Sequence, residues 1–466
     1  MRLTLRLLGR SKSKSSSQVL DHYASSTSRF PWLSTLKTKQ LQHLAQRTGL
    51  PSSGTKAVLL EELETGLELY REQDGRGVAS SNRTPKADRR KGGAKEEDEG
   101  LRVLSIDMGI RNLAFAVLNV RGFGPDSFPG TLAEMLEEGK SKSASKRRAG
   151  RDKVEVGLEA WRRVSLPLDR GFSVEEFARY LDTSIFPTSS SASSSTAESA
   201  GVETDDTPSS TAKPAKTKAK AKAEKAPFSL PVYATHAHSV ISALLAKYNP
   251  THVLIERQRF RSSGGSAVQE WSLRVGVFEG MLWAVLHSFK MQQLQEESTR
   301  RIGPEVIAIE PARVGRFWGP AATSSASASA SASDADPASD DGTAKKKRTS
   351  SSREGKKLKI DLVGSWLEKG VFSYPAPSNS ETVRPWVDAY MAKWKKTPKS
   401  RAKSKTKAEA KSSDSDLGVA DIDITKLDDM ADCLVQGVTW LEWEGMKGRA
   451  VRDGIGGVLV GVDVPA

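Results

Sequence analysis

A single cysteine, Cys433, in 466 residues excludes a disulfide framework and any zinc site built from several thiolates. Histidine is nearly as scarce: there are six, and only His236 and His238 lie close together, so no paired-ligand spacing points to a structural zinc. No apolar run reaches the roughly 18 residues that a membrane-spanning helix needs, and no glycine-rich phosphate loop of the kind that holds a nucleotide is present. Acids are missing from the first twenty residues, MRLTLRLLGRSKSKSSSQVL, which carry Arg2, Arg6, Arg10, Lys12 and Lys14 before Asp21. An Arg- and Ser-rich, acid-free start is the composition of a mitochondrial transit peptide, so residues 1–29 are expected to be a targeting segment or tail.

Basic residues are what the chain has in excess: Lys+Arg 71 against Asp+Glu 57, a formal charge of +14. Such a balance favours a polyanionic partner, most simply nucleic acid, although much of it lies in low-complexity tracts. Residues 71–100 are charged and Gly-rich, and 187–227, 321–354 and 395–416 are Ser-, Ala- and Lys-rich; all lack the apolar periodicity that would offset ordering entropy. They read as a linker followed by disordered insertions, and KSKSASKRRAGRDK at 140–153 as a basic loop. Subtracting them leaves roughly 220 residues for one main core and a small N-terminal module, an ordinary domain size.

Within that core, residues 101–107 and 113–120 read as two strands joined by a tight MGIRN turn, with a third over 156–166. SVEEFARYLDTSI opens on a serine cap and places Phe177, Tyr180 and Leu181 on one helical face. Helix 234–248 feeds a strand at 251–256. A long helix over 267–289, a strand at 305–310, a helix over 358–370 ending at glycine, and a last helix over 424–443 follow. Strands first, then alternating helices and strands, predict an α/β fold with a mixed sheet flanked by helices.

Four acids lie where acids are costly. Asp107 ends the apolar strand VLSID, and Glu256 ends VLIE. Asp428 and Asp432 lie four apart, hence on one face of a helix whose neighbours Leu427, Met430, Ala431, Leu434 and Val435 are apolar. Like charges so placed call for a cation, and carboxylate oxygens suit Mg²⁺, with Mn²⁺ as a substitute. Two such ions can activate water and stabilise the leaving oxygen of a phosphodiester.

On these residues a resemblance becomes usable. SIDMGIRNLAFAVL resembles the first hairpin of the RuvC-like branch of the ribonuclease H superfamily. VLIERQRFRS and KLDDMADCLVQGVTWLEW resemble the second acidic strand and the C-terminal helix of the fungal mitochondrial Holliday-junction resolvases. The resemblance spans about 101–443 and implies a ribonuclease H-like core over 101–445 that cleaves four-way DNA junctions in mitochondria. It places catalysis and metal binding on Asp107, Glu256, Asp428 and Asp432, with Asp429 turned away by about 100°. Arg111 in the glycine turn, and Arg257, Gln258, Arg259 and Arg261 after the second acid, would then line a DNA cleft. Lys356, Lys357 and Lys359 are weaker phosphate-binding candidates. Other readings are a non-catalytic nucleoid protein, or a nuclease acting on another nucleic-acid structure such as an RNA–DNA hybrid.

Residues 30–70 resemble a SAP domain, a DNA-binding helix–extended loop–helix. Leu36, Leu41, Leu44 and Ala45 form the first apolar face, Leu59, Leu60 and Leu63 the second, and Lys56 at the second helix start would meet a phosphate. The resemblance and the two-fold symmetry of a junction together imply a homodimer. The helix over 267–289 is the expected interface, through Trp271, Val275, Phe278, Leu282 and Leu286, widened by Val277, Met281 and Val285. Residues 446–466 are expected to be a tail.

Overall fold

The computed structural model describes residues 29–81, 100–109, 113–122, 155–167, 170–183, 229–258, 270–295, 303–319, 345–375, 383–396, 422, 424 and 426–458. The expected targeting segment, the GIRN turn beyond Gly109, Arg259, Arg261 and most of each predicted insertion lie outside them. The chain divides into two compact units, one of residues 1–164, 250–259 and 301–466, the other of 165–249 and 260–300.

The first unit is built on a five-stranded sheet in the order β3-β2-β1-β4-β5. β1 (Leu101–Asp107), β2 (Leu113–Arg121) and β3 (Glu155–Val164) form an antiparallel meander, while β4 (His252–Glu256) and β5 (Glu305–Ile309) add parallel to β1. The mixed sheet flanked by helices is the α/β architecture expected from the sequence. β1 is flanked on both sides, which is why its middle, Val103–Ile106, is fully buried and reads as a continuous apolar run.

The long helix α10 (Asp428–Asp453) lies across the sheet. Gly437 allows a close approach, since a Cβ there would lie 2.9 Å from Leu118 Cδ1 and 3.3 Å from Ser105 Cβ. Ser105 Oγ donates to the Cys433 carbonyl at 2.7 Å, Gln436 Nε2 donates to Ser105 Oγ at 3.1 Å, and Trp161 Nε1 donates to the Met430 carbonyl at 2.9 Å. These bonds satisfy polar groups that burial would otherwise penalise, and they fix the helix along β1. Two further helices, α8 (Lys345–Glu368) and α9 (Arg384–Lys396), pack beside it. They enclose Trp366, Trp386, Tyr390 and Trp394. Both α9 and the short α7 (Pro311–Trp318) escaped sequence reading. The predicted tract 321–354 also overlaps α8, which begins at Lys345.

The N-terminal module comprises α1 (Trp32–Thr35), α2 (Thr38–Arg47) and α3 (Lys56–Ser81). Leu36, Leu41, Leu44, Ala45, Leu59 and Leu63 are buried, and Leu60 packs against their cluster, as the pattern predicts. That cluster is shared with Met446, Ala450 and Val458 of the C-terminal segment. Residues 446–458 are therefore not a tail. α10 continues to Asp453 and α11 covers Ile455–Val458, because their apolar side chains cover the module. Gly448 lies close to α3, where a Cβ would meet the Tyr70 hydroxyl at 2.9 Å.

The second unit is helical among its described residues: α4 (Val174–Thr183), α5 (Leu230–Tyr248) and α6 (Glu270–Gln295). α4 starts with a reciprocal capping box, Ser173 N–H to Glu176 Oε2 at 2.8 Å and Glu176 N–H to Ser173 Oγ at 3.2 Å. Asn249 ends α5 in the left-handed region, φ 45°. The interface expected on α6 has to be corrected. Val275, Phe278, Leu282 and Leu286 are buried within the unit, and Phe278 meets Tyr233 of α5 edge-on at 6.0 Å. A helical apolar stripe reports burial but not against which partner. Val277, Met281 and Val285 are half-buried, and the Trp271 side chain lies outside the described set.

Candidate active site

Strand register alone brings the first two acids together. Ile106 of β1 faces Ile255 of β4 in the parallel pairing, so the next residues, Asp107 and Glu256, stand side by side at two adjacent strand ends. Asp107 also pairs with Ala114, and Ala114 with Arg163. One row across the sheet therefore reads Arg163–Ala114–Asp107–Glu256, on the face that Ser105 presents to α10. The first turns of α10 supply Asp428, Asp429 and Asp432 above that row.

Electrostatics confirm the crowding. Burial is the largest cause holding the Asp107 carboxyl well above the usual carboxylate range. The charges of Glu256, Asp432 and Asp429 and a hydrogen bond with Glu256 push the same way. Asp432 is raised by burial, against the opposing pull of the Lys359 ammonium. Asp429 is also raised by burial and by Asp428, although Arg163 Nε lies 3.2 Å from its Oδ2. Asp428 goes the other way: burial would raise it, but the Lys356 hydrogen bond and charge hold it below its ordinary value.

Two cations of α8 complete the site. Lys356 Nζ lies 2.7 Å from Asp428 Oδ2, and Lys359 Nζ 2.8 Å from Asp432 Oδ1. From sequence the lysines read only as phosphate contacts, and Arg163 carries no signal. The available signal was spacing: lysines three apart on one helix match aspartates four apart on another.

The structure brings Asp107, Glu256, Asp428 and Asp432 together. Asp429, expected to point away, is as buried as Asp428: it pairs with Arg163, and its charge acts on Asp107. The DNA-contact candidates are more scattered. Arg257 is exposed, and its backbone N–H donates to the Ile309 carbonyl at 2.8 Å. Gln258 is half-buried and its Nε2 donates to the Met108 carbonyl at 3.3 Å, tying the exits of β4 and β1 together. Lys56 is exposed, and its Nζ donates to the Ser34 carbonyl at 3.1 Å. Arg111, Arg259 and Arg261 lie outside the described residues.

The donor chemistry fits a divalent cation. Several hard carboxylate oxygens, mutually repelling and delivered by two strand ends and a helix, are what Mg²⁺ or Mn²⁺ accept. Among the described residues, however, no three such side chains are disposed as a ready ligand set.

A sheet meander extended by parallel strands, with acids at β1, β4 and a C-terminal helix, defines a mixed-sheet α/β domain with a carboxylate cluster on one face. Comparison with known proteins agrees. The family described as mitochondrial resolvase Ydc2 / RNA splicing MRS1 matches residues 103–450, and the chain belongs to that family. A SAP domain matches residues 32–64. A stretch of 87 residues is 31% identical to cruciform cutting endonuclease 1, mitochondrial, of Schizosaccharomyces pombe, covering 19% of this chain and 32% of that protein. The aligned part is thus about a third of the curated relative. The crystal structure of the yeast mitochondrial Holliday junction resolvase Ydc2 is 14% identical, covering 90% of this chain and 98% of that one, with a TM-score of 0.39.

Proposed function

We propose that this protein is a mitochondrial endonuclease that resolves four-way DNA junctions by divalent-metal-dependent phosphodiester hydrolysis, acting as a homodimer on a two-fold symmetric substrate. Mg²⁺ is the expected metal, with Mn²⁺ substituting. The observation that carries the reading is the register of Asp107 and Glu256 on adjacent strand ends beneath Asp432. A carboxylate cluster under this much mutual repulsion opposes folding, and serves where cations and a phosphate are to be held.

Asp107, Glu256, Asp428 and Asp432 would hold the metal. When bound, it supplies a polarised water and charge neutralisation at the scissile phosphate. The protein's own residues do the rest. The sheet row fixes the carboxylates, Gln258 braces the two strand exits, and Arg163 pairs with Asp429. Arg257 stands exposed beside the site, where a DNA phosphate would meet it.

The family description also names RNA splicing. Splicing support needs nucleic-acid binding but not a strained carboxylate cluster, so the cluster favours hydrolysis. Purified full-length protein with Mg²⁺ should introduce paired cuts into a labelled four-way junction and spare linear duplex and RNA–DNA hybrid. Asp107→Asn keeps the side-chain shape and removes a metal ligand. Its cleavage should fall by about a hundredfold or more, the scale of losing one preorganised electrostatic group, while junction binding survives. Cleavage near the wild-type rate in that variant would refute the site.

A further inference from the structure

Lys359 of α8 is held more firmly than the lysine of a surface ion pair is. Gly364 lets α8 close on α9, since a Cβ there would lie 2.3 Å from Trp394 Cε2. Tyr390 OH donates to the Ile360 carbonyl at 3.2 Å, and Trp394 Nε1 donates to Asp361 Oδ1 at 3.0 Å. Ile360 and Asp361 directly follow Lys359, so the backbone carrying that lysine is anchored on both its carbonyl and side-chain sides. The Lys359 side chain is 19% exposed and its partner Asp432 22% exposed, whereas Lys356 is 57% exposed. A long, entropically expensive side chain threaded into a carboxylate site by a braced helix is a built feature rather than a solvated pair.

We propose that Lys359 is the resident counter-ion of this site, occupying Asp432 in the DNA-free protein and competing there with a divalent cation. The inference rests on the reading of the acids as metal ligands. An ammonium 2.8 Å from Asp432 Oδ1 and a divalent ion on the same carboxylate repel each other, so metal entry must displace the lysine or weaken its hold. Metal therefore binds this chain less tightly than its acids alone would dictate, and the displaced ammonium becomes available to an incoming phosphate. Lys359 is a positioning residue in this scheme, since it keeps Asp432 in place until the cation arrives.

Calorimetric titration of Mn²⁺ into the metal-free full-length protein, without DNA, tests this. Lys359→Met preserves the stem and removes the charge, and should bind Mn²⁺ about tenfold tighter than the parent, within the usual range of site-to-site coupling. Lys359→Arg keeps the charge and should stay within about threefold of the parent, while Lys356→Met, at the exposed pair, should fall between. If Lys359→Met unfolds in chelator, added Mn²⁺ should restore its fold, because the cation replaces the missing ammonium. Equal affinity in parent and folded Lys359→Met, or a Met variant that stays unfolded in saturating Mn²⁺, would overturn the proposal. Because no DNA is present, the outcome separates from the functional reading. A flat affinity series with Asp107-dependent junction cutting removes only the counter-ion, and the expected series without junction cutting removes only the resolvase.

Discussion

Replacing Gly49 by alanine is the sharpest test of how the SAP module is joined to the α/β core. Gly49 follows α2 with φ +70°, in the left-handed region where a Cβ costs about 1–2 kcal/mol. That Cβ would lie 2.3 Å from Trp443 Cδ2 and 2.5 Å from Cε3. Trp443 is 4% exposed and lies on α10, so it has little room to yield, and overpacking of this kind costs about 1–3 kcal/mol. Together the two effects come to about 2–5 kcal/mol, a large share of the roughly 5–15 kcal/mol that holds a domain folded. The Gly49 carbonyl also accepts from Arg313 Nη1 at 3.0 Å, and a shift of the loop would loosen that bond as well. Thermal unfolding of full-length Gly49→Ala should therefore drop on the order of 10 °C. Adding Trp443→Leu should recover the steric part but not the backbone part, a coupling read from the double-mutant cycle. A single variant that melts within about 2 °C of the parent would show that the module is merely tethered.

Leu282→Glu, a change at a fully buried position of α6, should unfold the helical unit, losing more than about 3 kcal/mol. Folded monomers from that variant would revive the interface originally read onto this stripe. Leu273→Glu, on the outer face at 53% exposure, should keep the helical unfolding transition unchanged, and light scattering would show whether it weakens a dimer. Acid should also destabilise the protein through two histidines held below their ordinary value. His252 is lowered by burial, only partly offset by Glu305, and His43 by burial and by Arg47. A depressed histidine stays neutral in the fold while the unfolded chain takes up the proton. Stability is thus full above about pH 6.5 and lost as the pH falls below it, by up to about 1.4 kcal/mol per pH unit per proton. Denaturant midpoints from pH 7.5 to 5 should show this slope flattened in His252→Gln, and an unchanged slope would refute it.

The acids at strand ends were legible because they break a pattern: Asp107 and Glu256 each close an apolar run, and register carries them to one place. The extent of α10 was not legible. The helix expected to end at 443 runs on to Asp453 because Met446 and Ala450 pack into the N-terminal module, a long-range reason that local sequence cannot state. Lys356 and Lys359 were hidden by composition, lying next to a lysine tract that looks like solvated linker. The α6 stripe told the truth about burial and nothing about whose side chains bury it.

Because α10 carries Asp428 and Asp432 at one end and the apolar seat of the SAP module, Met446 and Ala450, at the other, it acts as a ruler. Fourteen residues separate Asp432 from Met446, about 21 Å along a helix at 1.5 Å per residue. A single residue added between them would turn the module by about 100° as well as shift it. Changes of chain length are therefore forbidden inside this helix and free outside it. The tracts at 187–227, 321–354 and 395–416 all lie outside it, where a growing chain leaves the spacing from carboxylate cluster to SAP module untouched.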